Sequence, residues 1–252
     1  MRNQNFGKMI FGLASLAMMV NVASAGFITT HDIPETGSDA GSGISSSNAY
    51  THALDFGSGS WGANYQINGV TFTHLNSVAN NSPGFSGTDA TTGKGFSLVA
   101  NAYAIQQYSG GTSTHADGQV GNLLNDFVTM GNWADMVLTL SDLTVGENYS
   151  TRFYYRPWID NDSRTDTLTF NGDGTADSTT FNEDAGSSAH YISYDFTASG
   201  STEVITIGKQ FHLYGVTNQV LSAIPEPANA IPLGSLLASA LLLRTRRRDH
   251  VA

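Results

Sequence analysis

The chain has 252 residues, a formal net charge of −10, 27 glycines and no cysteine. The absence of cysteine excludes disulfide bonds, thiol chemistry and cysteine-based zinc sites, so the fold must depend on burial and hydrogen bonding. The acidic balance makes nucleic acid and anionic lipid poor partners, because both carry negative charge.

Residues 1–25 have the pattern of a cleavable secretory signal peptide. Arg2 and Lys8 give a positive start, residues 9–20 are apolar, and residues 23–25 form a small-x-small cleavage site. As a helix the apolar stretch would span only ~18 Å, whereas a bilayer core is ~30 Å thick. The pattern therefore predicts removal by signal peptidase and export of the remaining chain.

Residues 26–222 form the candidate working domain, and one domain is the natural count for this length. They contain 19 acidic and five basic side chains, a net charge of −14. Glycine, serine, threonine, asparagine and aspartate are abundant, and no long stretch shows a 3.6-residue hydrophobic period. Short alternating runs between turn residues are typical of an all-β sandwich or barrel.

The first half of this domain has the weaker strand signals. The Asn68-Gly69 pair lies between apolar residues and predicts a short hairpin. Residues 109–125 are rich in glycine and polar residues, which favours a long loop, with a short helix at 120–126 as a weaker alternative. The predicted strands are 27–30, 53–56, 65–74, 95–99 and 102–107.

The second half alternates more clearly. Strands are predicted at 135–143, 149–158, 166–170, 191–198, 203–207 and 211–216. The expected core residues are Met136, Leu138, Leu140, Phe153, Leu168, Phe170, Ile192, Tyr194, Phe196 and Phe211.

Three runs in this half resemble a known type of domain: LTLSDLTVGENYSTRFYYRPW, TDTLTFNGDGT and YISYDFTASGSTEVITI. Residues 135–216 are similar to the C-terminal half of galactose-binding-like jelly rolls found on bacterial surface proteins. The resemblance implies a jelly-roll-like β-sandwich, and it transfers the fold rather than a ligand.

One face of the predicted strand 149–158 is a candidate ligand site. Successive side chains of a strand point to opposite faces, and one face carries Arg152, Tyr154, Arg156 and Trp158. Aromatic rings stack on sugar rings, and an arginine fork bonds vicinal hydroxyls or acidic sugars. These four residues are a predicted glycan-binding face. The equal alternative is a core strand with snorkelling arginines.

Two acidic clusters place oxygen donors at alternate loop positions, as a hard cation such as calcium requires. The first contains Asp160, Asp162 and Asp166, and the second contains Asn171, Asp173 and Asp177. Neither matches an EF-hand loop. A structural calcium ion that ties loops together is one interpretation, and the simpler one is that these residues form turns. No other cofactor is expected.

Catalytic motifs are absent from the sequence. No H-E-x-x-H, H-x-H or G-x-S-x-G pattern is present, and the histidines are scattered along the chain. We therefore expect a protein that is not an enzyme. Paired carboxylates for glycoside hydrolysis stay open, because their spacing of ~5–10 Å depends on the fold.

Residues 223–252 have three parts with separate physical roles. Pro225, Glu226 and Pro227 form a rigid, extended triplet, because proline fixes φ and lacks a donor. Residues 230–243 would make a helix of roughly 21 Å, a marginal membrane span suited to temporary retention. A basic end resists translocation and stays in the cytoplasm, and it consists of Arg244, Arg246, Arg247 and Arg248.

This tail resembles the PEP-CTERM sorting signal. The resemblance implies recognition by an exosortase, a membrane protease-transpeptidase that removes the tail and passes the protein to the cell surface. Two features depart from the pattern: Pro232 interrupts the apolar run, and residues 249–252 follow the arginines.

Together these patterns predict an exported, exosortase-sorted component of the cell surface or exopolysaccharide matrix that binds glycan without catalysis. The inner membrane would anchor the precursor transiently, and exopolysaccharide is the expected ligand. Two alternatives remain at this point: a secreted hydrolase that acts on polysaccharide, and a purely structural matrix protein.

Overall fold

The computed structural model describes residues 26–34, 38–57, 64–75, 82–101, 104–109, 118–130 and 134–221. The predicted signal peptide and sorting signal lie outside the described residues. The elements are β1 Phe27–Ile33, β2 Ala49–Asp55, β3 Tyr65–Ile67, β4 Val70–His74, β5 Gly84–Thr88, β6 Gly95–Ala100, β7 Ile105–Ser109, α1 Gly118–Leu123, β8 Asp126–Met130, β9 Met136–Ser141, β10 Asn148–Tyr155, β11 Thr165–Phe170, β12 Asp177–Asn182, β13 Ala189–Thr197, β14 Thr202–Ile207 and β15 Gly215–Val220.

These strands form two large sheets and one small one. The seven-stranded sheet has the order β1-β13-β10-β15-β2-β4-β3, and the six-stranded sheet has the order β12-β11-β14-β9-β6-β5. The antiparallel pair β7-β8 forms the third. Strands β2 and β4 pair in parallel, and the other ladders are antiparallel. From β9 to β15 the chain passes repeatedly from one large sheet to the other.

The two large sheets pack face to face around one apolar core. Phe170 on β11 lies edge-on to Phe153 on β10, with ring centroids 5.8 Å apart, and it stacks on Tyr194 of β13 at 4.5 Å. All ten predicted core residues are buried. The all-β sandwich is thus confirmed, because the alternation in β9, β10 and β11 places their apolar residues between the sheets.

The hairpin prediction at Asn68-Gly69 is also confirmed. Both residues have positive φ, 47° and 79°, as the tight turn between β3 and β4 requires. Within the long stretch predicted as a loop, α1 agrees better with the weaker helix alternative.

Three strands were missed, and the last strand was predicted too early in the chain. Strand β5 was missed because glycine, serine and threonine fill four of its five positions. The polar strand β12 was missed, because its exposed serine and threonine side chains read as a turn region. Strand β8 was missed because it lies at the end of the predicted loop and helix region. The last strand is Gly215–Val220, four residues later than predicted, because residues 211–214 leave the ladder apart from one bridge between Leu213 and Val128.

A cover lies on the outer face of the seven-stranded sheet. It consists of the segment 38–48 and helix α1, and Asp39 joins the two parts by accepting a hydrogen bond from the backbone N–H of Val120 at 2.9 Å. Leu123 reaches the sheet at Gly215, where an added Cβ would lie 2.5 Å from a leucine methyl carbon. The cover therefore lies over part of the outer face of this sheet.

Candidate functional site

The predicted glycan-binding face on β10 does not form an exposed strip. Its side chains do point away from the core, as alternation requires, since Thr151 and Phe153 point inward. However, Tyr154 is 0% exposed and Arg156 is 3% exposed. Both side chains are buried, so the prediction of an open face is corrected for these two residues.

The two arginines attach the cover to the sheet. The Arg152 guanidinium donates to the carbonyl of Gly43 and lies 5.3 Å from the centroid of the Tyr191 ring. The Arg156 guanidinium donates to the carbonyl of Leu124, the residue that follows helix α1, and lies 5.7 Å from the centroid of the Tyr214 ring. Both arginines therefore have a structural role. This agrees with the alternative of a core strand with snorkelling arginines, and in addition each guanidinium binds a backbone carbonyl and an aromatic ring.

Trp158 is half-buried at the end of the same segment. Its ring meets Phe127 and His212 edge-on, with centroids 5.3 Å and 5.4 Å away. Its backbone N–H donates to Asp184 Oδ1 at 2.7 Å. A ligand role stays an untested prediction for Trp158 and for the half-buried Arg152.

The first predicted calcium cluster does not assemble. Asp160 and Asp162 are exposed, whereas Asp166 is 2% exposed and faces the core. Within the described ranges, no group of three or more histidine or acidic side chains is arranged to hold a metal ion. Asp166 is the second residue of β11, so alternation turns it inward with Leu168 and away from the loop before the strand.

The second predicted cluster forms a turn. Asp173 accepts hydrogen bonds from the backbone N–H and hydroxyl of Thr175 at 2.8 Å and 2.7 Å, and from the N–H of Gly26 at 2.9 Å. Asp177 accepts from the Tyr194 hydroxyl at 3.1 Å. These contacts match the simpler interpretation, in which the acidic residues satisfy nearby donors.

Asp166 instead belongs to a buried acidic cluster at one end of the core. Neither of its oxygens has a hydrogen-bond donor, and Glu183, which is fully buried, is its neighbour. Burial and the Glu183 charge raise the pKa of Asp166 to about 8. Burial also raises the pKa of Glu183 well above its usual value. At neutral pH the carboxyl group of Asp166 is therefore mostly protonated, and burial disfavours the charged form of Glu183.

Basic groups surround the pair without neutralising it. Arg164 lies 4.0 Å from Glu183 Oε2 and 3.3 Å from Asp184 Oδ2. His212 Nδ1 lies 3.1 Å from Glu183 Oε1, but burial and the nearby Arg164 lower the pKa of His212 to about 2. The histidine is thus neutral, and one guanidinium faces three buried carboxyl groups. The cluster is closed to solvent, which does not suit catalysis.

A buried Asp–His pair lies at the parallel end of β2 and β4. Asp55 Oδ2 accepts a hydrogen bond from His74 Nδ1 at 2.7 Å, and the two residues are paired in register. The hydrogen bond to Asp55 raises the pKa of His74, while burial raises the pKa of Asp55 to about 6. His74 is 9% exposed, and no nucleophile is placed beside it within the described residues.

A chain of polar side chains crosses the core near the other end. Thr151 donates to Glu203 Oε2 at 2.6 Å, and the Asn218 amide donates to Thr51 Oγ1 at 2.8 Å. Burial lowers the pKa of His52, whose Nδ1 lies 3.0 Å from the Thr51 hydroxyl. Burial raises the pKa of Glu203 to about 8. Every member is deep in the protein, so this chain is structural.

An open cleft of about 200 Å³ is the candidate binding site. It exists because β2 and β4 pair only at their ends, Leu54 with Thr73 and Asp55 with His74. Before those pairs the two strands separate, and the turn after β5 fills the base of the gap. The residues around the cleft are Ser46, Asn48, Tyr50, Ala53, Gly69, Val70, Thr71, Asp89, Thr91 and Thr92.

Asp89 holds the base of the cleft together. Its Oδ2 accepts from the Ala53 N–H at 3.0 Å and the Thr73 hydroxyl at 3.3 Å. Its Oδ1 accepts from the Thr91 N–H at 3.0 Å, and from the N–H and hydroxyl of Thr92 at 2.8 Å and 3.0 Å. These five donors fix the turn against β2 and leave this carboxylate unsuited to acid–base chemistry.

The opposite wall is fixed by the hairpin turn at Asn68 and Gly69. The Asn68 amide donates to the carbonyls of Ile44 and Asp39 at 3.0 Å and 3.1 Å, and the Ser46 N–H donates to the Asn68 carbonyl at 3.2 Å. An added Cβ at Gly69 would lie 3.2 Å from Ser46 Cβ, so glycine permits the close approach. The cleft is thus a preformed feature between two braced turns.

Sequence patterns did not predict this cleft, because three separated segments form it. Its acidic residue had a recognisable signal: Asp89 precedes Thr91, Thr92 and Gly93, as in a turn that an aspartate side chain caps. The buried acids also had a signal. Asp166 and Glu203 are in phase with the apolar residues of β11 and β14, and that phase indicates burial.

No protein-family model matches the chain, and comparison with curated proteins gives no relative. Among solved structures it is similar to tailspike protein 4 of bacteriophage CBA120, with 15% identity, a TM-score of 0.29 and coverage of 50% of this chain and 19% of that one. It is also similar to the exo-β-1,3-galactanase of Phanerochaete chrysosporium in complex with β-1,3-galactotriose, with 13% identity, a TM-score of 0.30 and coverage of 62% and 32%.

The chain thus spans about a fifth to a third of those proteins. Likeness at this level identifies neither a family nor a site. Among the described residues, no helix combines the length and the apolar character that a membrane crossing requires.

Proposed function

We propose that this protein is an exported, non-catalytic carbohydrate-binding component of the cell surface or exopolysaccharide matrix. The observation that carries the proposal is the open cleft beside β2 and β4, in which hydroxyl and amide groups surround a preformed cavity. Sugars present many hydroxyls beside apolar C–H groups, and a preformed pocket with fixed donors and acceptors binds them without a conformational change.

The absence of catalysis is part of the proposal. Glycoside hydrolysis uses two carboxyl groups about 5–10 Å apart, one of them a proton donor. The cleft has a single acidic residue, Asp89, and five donors already occupy its oxygens. The other acidic groups with raised pKa values, such as Asp166 and Glu183, are buried away from solvent.

The finer fold assignment is a jelly roll. Supporting it, β9, β11, β12 and β14 lie in one sheet while β10, β13 and β15 lie in the other, so the chain crosses the sandwich repeatedly. This is the part of the chain that resembles galactose-binding-like domains in sequence.

Sorting by an exosortase is the second part of the proposal, and the sequence pattern of the tail supports it. Signal peptidase would remove residues 1–25, and the apolar run 230–243 would hold the precursor in the inner membrane until the exosortase acts. The mature domain would then be released to the cell surface or matrix.

Retention on polysaccharide tests the binding function. The purified protein should be retained on immobilised exopolysaccharide from the producing cells, and incubation should release no reducing sugar. Release of reducing sugar would make the protein a hydrolase. If neither this material nor a panel of other polysaccharides retains it, the structural-matrix alternative replaces the proposal.

Mass spectrometry of surface-extracted protein tests the sorting. The wild-type protein should lack its C-terminal residues, while Glu226→Ala or replacement of the four arginines should leave an unprocessed, membrane-bound precursor. An intact C-terminus at Ala252 on mature surface protein would end the sorting proposal.

A further inference from the structure

The lining of the cleft points to a specific class of ligand. We propose that it binds a single neutral sugar unit and rejects the corresponding uronic acid. This inference rests on the proposed carbohydrate-binding function and adds the location, the size and the charge of the ligand.

The size of the cleft sets the size of the ligand. Pockets for drug-sized molecules measure ~300–1,000 Å³, whereas this cleft measures about 200 Å³. Its two walls are fixed, one by the bonds of Asn68 to Ile44 and Asp39, the other by the bonds of Asp89. One sugar ring fits such a space, and the rest of a chain would leave through the open side.

The hydroxyl groups of the cleft are available for a ligand. The Tyr50 hydroxyl accepts from the Ser45 N–H at 3.1 Å and the Asn48 amide at 3.3 Å, which leaves its own hydrogen to donate. Ser46 and Thr91 are exposed, and their side-chain hydroxyls have no partner among the described residues. Sugar hydroxyls both donate and accept, as these groups do.

Charge decides between neutral and acidic sugars. None of the ten residues around the cleft is basic, and the single charged one, Asp89, is acidic. Lys94, the cation of the same turn, donates instead to the carbonyl of Asp142 at 2.8 Å. A uronate in the cleft would lose water without gaining a cation, beside one carboxylate and in a domain of net charge −14. A neutral sugar carries no such cost.

The test compares sugars that differ by one carboxylate. Binding of methyl glucoside, galactoside and mannoside is measured by calorimetry or ligand-observed NMR against the matching uronic acids. We expect at least one neutral sugar to bind and its uronic acid to bind at least tenfold more weakly. Equal or tighter binding of the uronic acids, or no binding of any neutral sugar, would overturn the inference.

A matched pair of double variants locates the site. Ser46→Ala with Thr91→Val removes two unpartnered hydroxyls at nearly constant volume, and we expect at least tenfold weaker binding of the neutral sugar. Ser163→Ala with Thr144→Val makes the same chemical changes at exposed positions outside the cleft, and binding should not change. Melting temperatures confirm that both variants fold.

Retention on exopolysaccharide separates the two levels of the argument. If the first double variant is retained as strongly as wild type, the protein still binds carbohydrate but through another surface, and the inference about the cleft fails alone. If wild type is not retained either, the proposed function itself fails.

Discussion

Asp89 and Asp166 are equally buried aspartates in opposite situations. Asp89 is 1% exposed and accepts five hydrogen bonds, while Asp166 is 2% exposed and accepts none. The difference follows from where each lies. Asp89 begins a turn, where backbone N–H groups of the next residues are free to donate. Asp166 lies in β11, where ladder bonds use the backbone donors.

This comparison shows two ways to bury a carboxyl group. In the turn, hydrogen-bond donors replace the water that Asp89 loses on burial, and the same bonds hold the cleft together. In the strand, burial raises the pKa of Asp166 to about 8, so the group keeps its proton at neutral pH. The first arrangement contributes to a surface site, and the second makes stability depend on pH.

The largest loss of stability is expected from a substitution at an apolar core residue on the same strand as Asp166. Phe170 shares the inward row of β11 with Asp166, and Phe170→Ala should lower the free energy of unfolding by about 3–5 kcal/mol. Denaturant unfolding measures it. A loss below ~1 kcal/mol would mean that the two sheets do not pack as described.

Asp89→Ala should be nearly as costly, by about 3 kcal/mol, because it leaves the N–H groups of Ala53 and Thr91 buried or constrained without an acceptor. Asp89→Asn is the matched control, since it keeps one acceptor oxygen, and it should lose roughly half as much. Equal stability of Ala and wild type would show that the five hydrogen bonds contribute little.

Asp166→Asn should raise the stability of the protein at high pH, in contrast to the two substitutions above. The pKa of Asp166 is raised in the folded protein, so its contribution is full below its unfolded value near 4 and is lost as pH rises towards about 8. Wild-type stability should therefore fall over that window. The variant should melt about 2–4 °C higher than wild type at pH 8 and within a degree of it at pH 4. Parallel stability curves of the variant and wild type between pH 4 and pH 8 would contradict the raised pKa of Asp166.

Glu203→Gln should give the smallest change in stability. Burial raises the pKa of Glu203 to about 8, so at pH 6 the native group is already neutral. Glutamine keeps an oxygen for the Thr151 hydroxyl, and stability at pH 6 should stay within about 1 kcal/mol of wild type. Above pH 8 the variant should become the more stable form. A large loss at pH 6 would show that Glu203 is charged there.

The comparison also shows what sequence patterns can reveal. The phase of β11 and β14 indicates that Asp166 and Glu203 point inward, but the sequence analysis did not use this signal and predicted a calcium ligand at Asp166 instead. Alternation in β10 correctly separated the Phe153 side from the Arg152 side. It could not show that the second side is buried, because periodicity within one strand carries no information about what packs on it.

By itself, the sequence determined the local features. Alternating apolar residues produced the strands of the core, the Asn68-Gly69 pair produced the hairpin turn, and the missing cysteines left burial and hydrogen bonds to stabilise the domain. Tertiary structure alone decided the burial of the Arg156 side of β10, the pairing of Asp166 with Glu183, and the cleft beside Asp89. Each of these joins segments that are distant in the chain, and such contacts depend on sheet order and register.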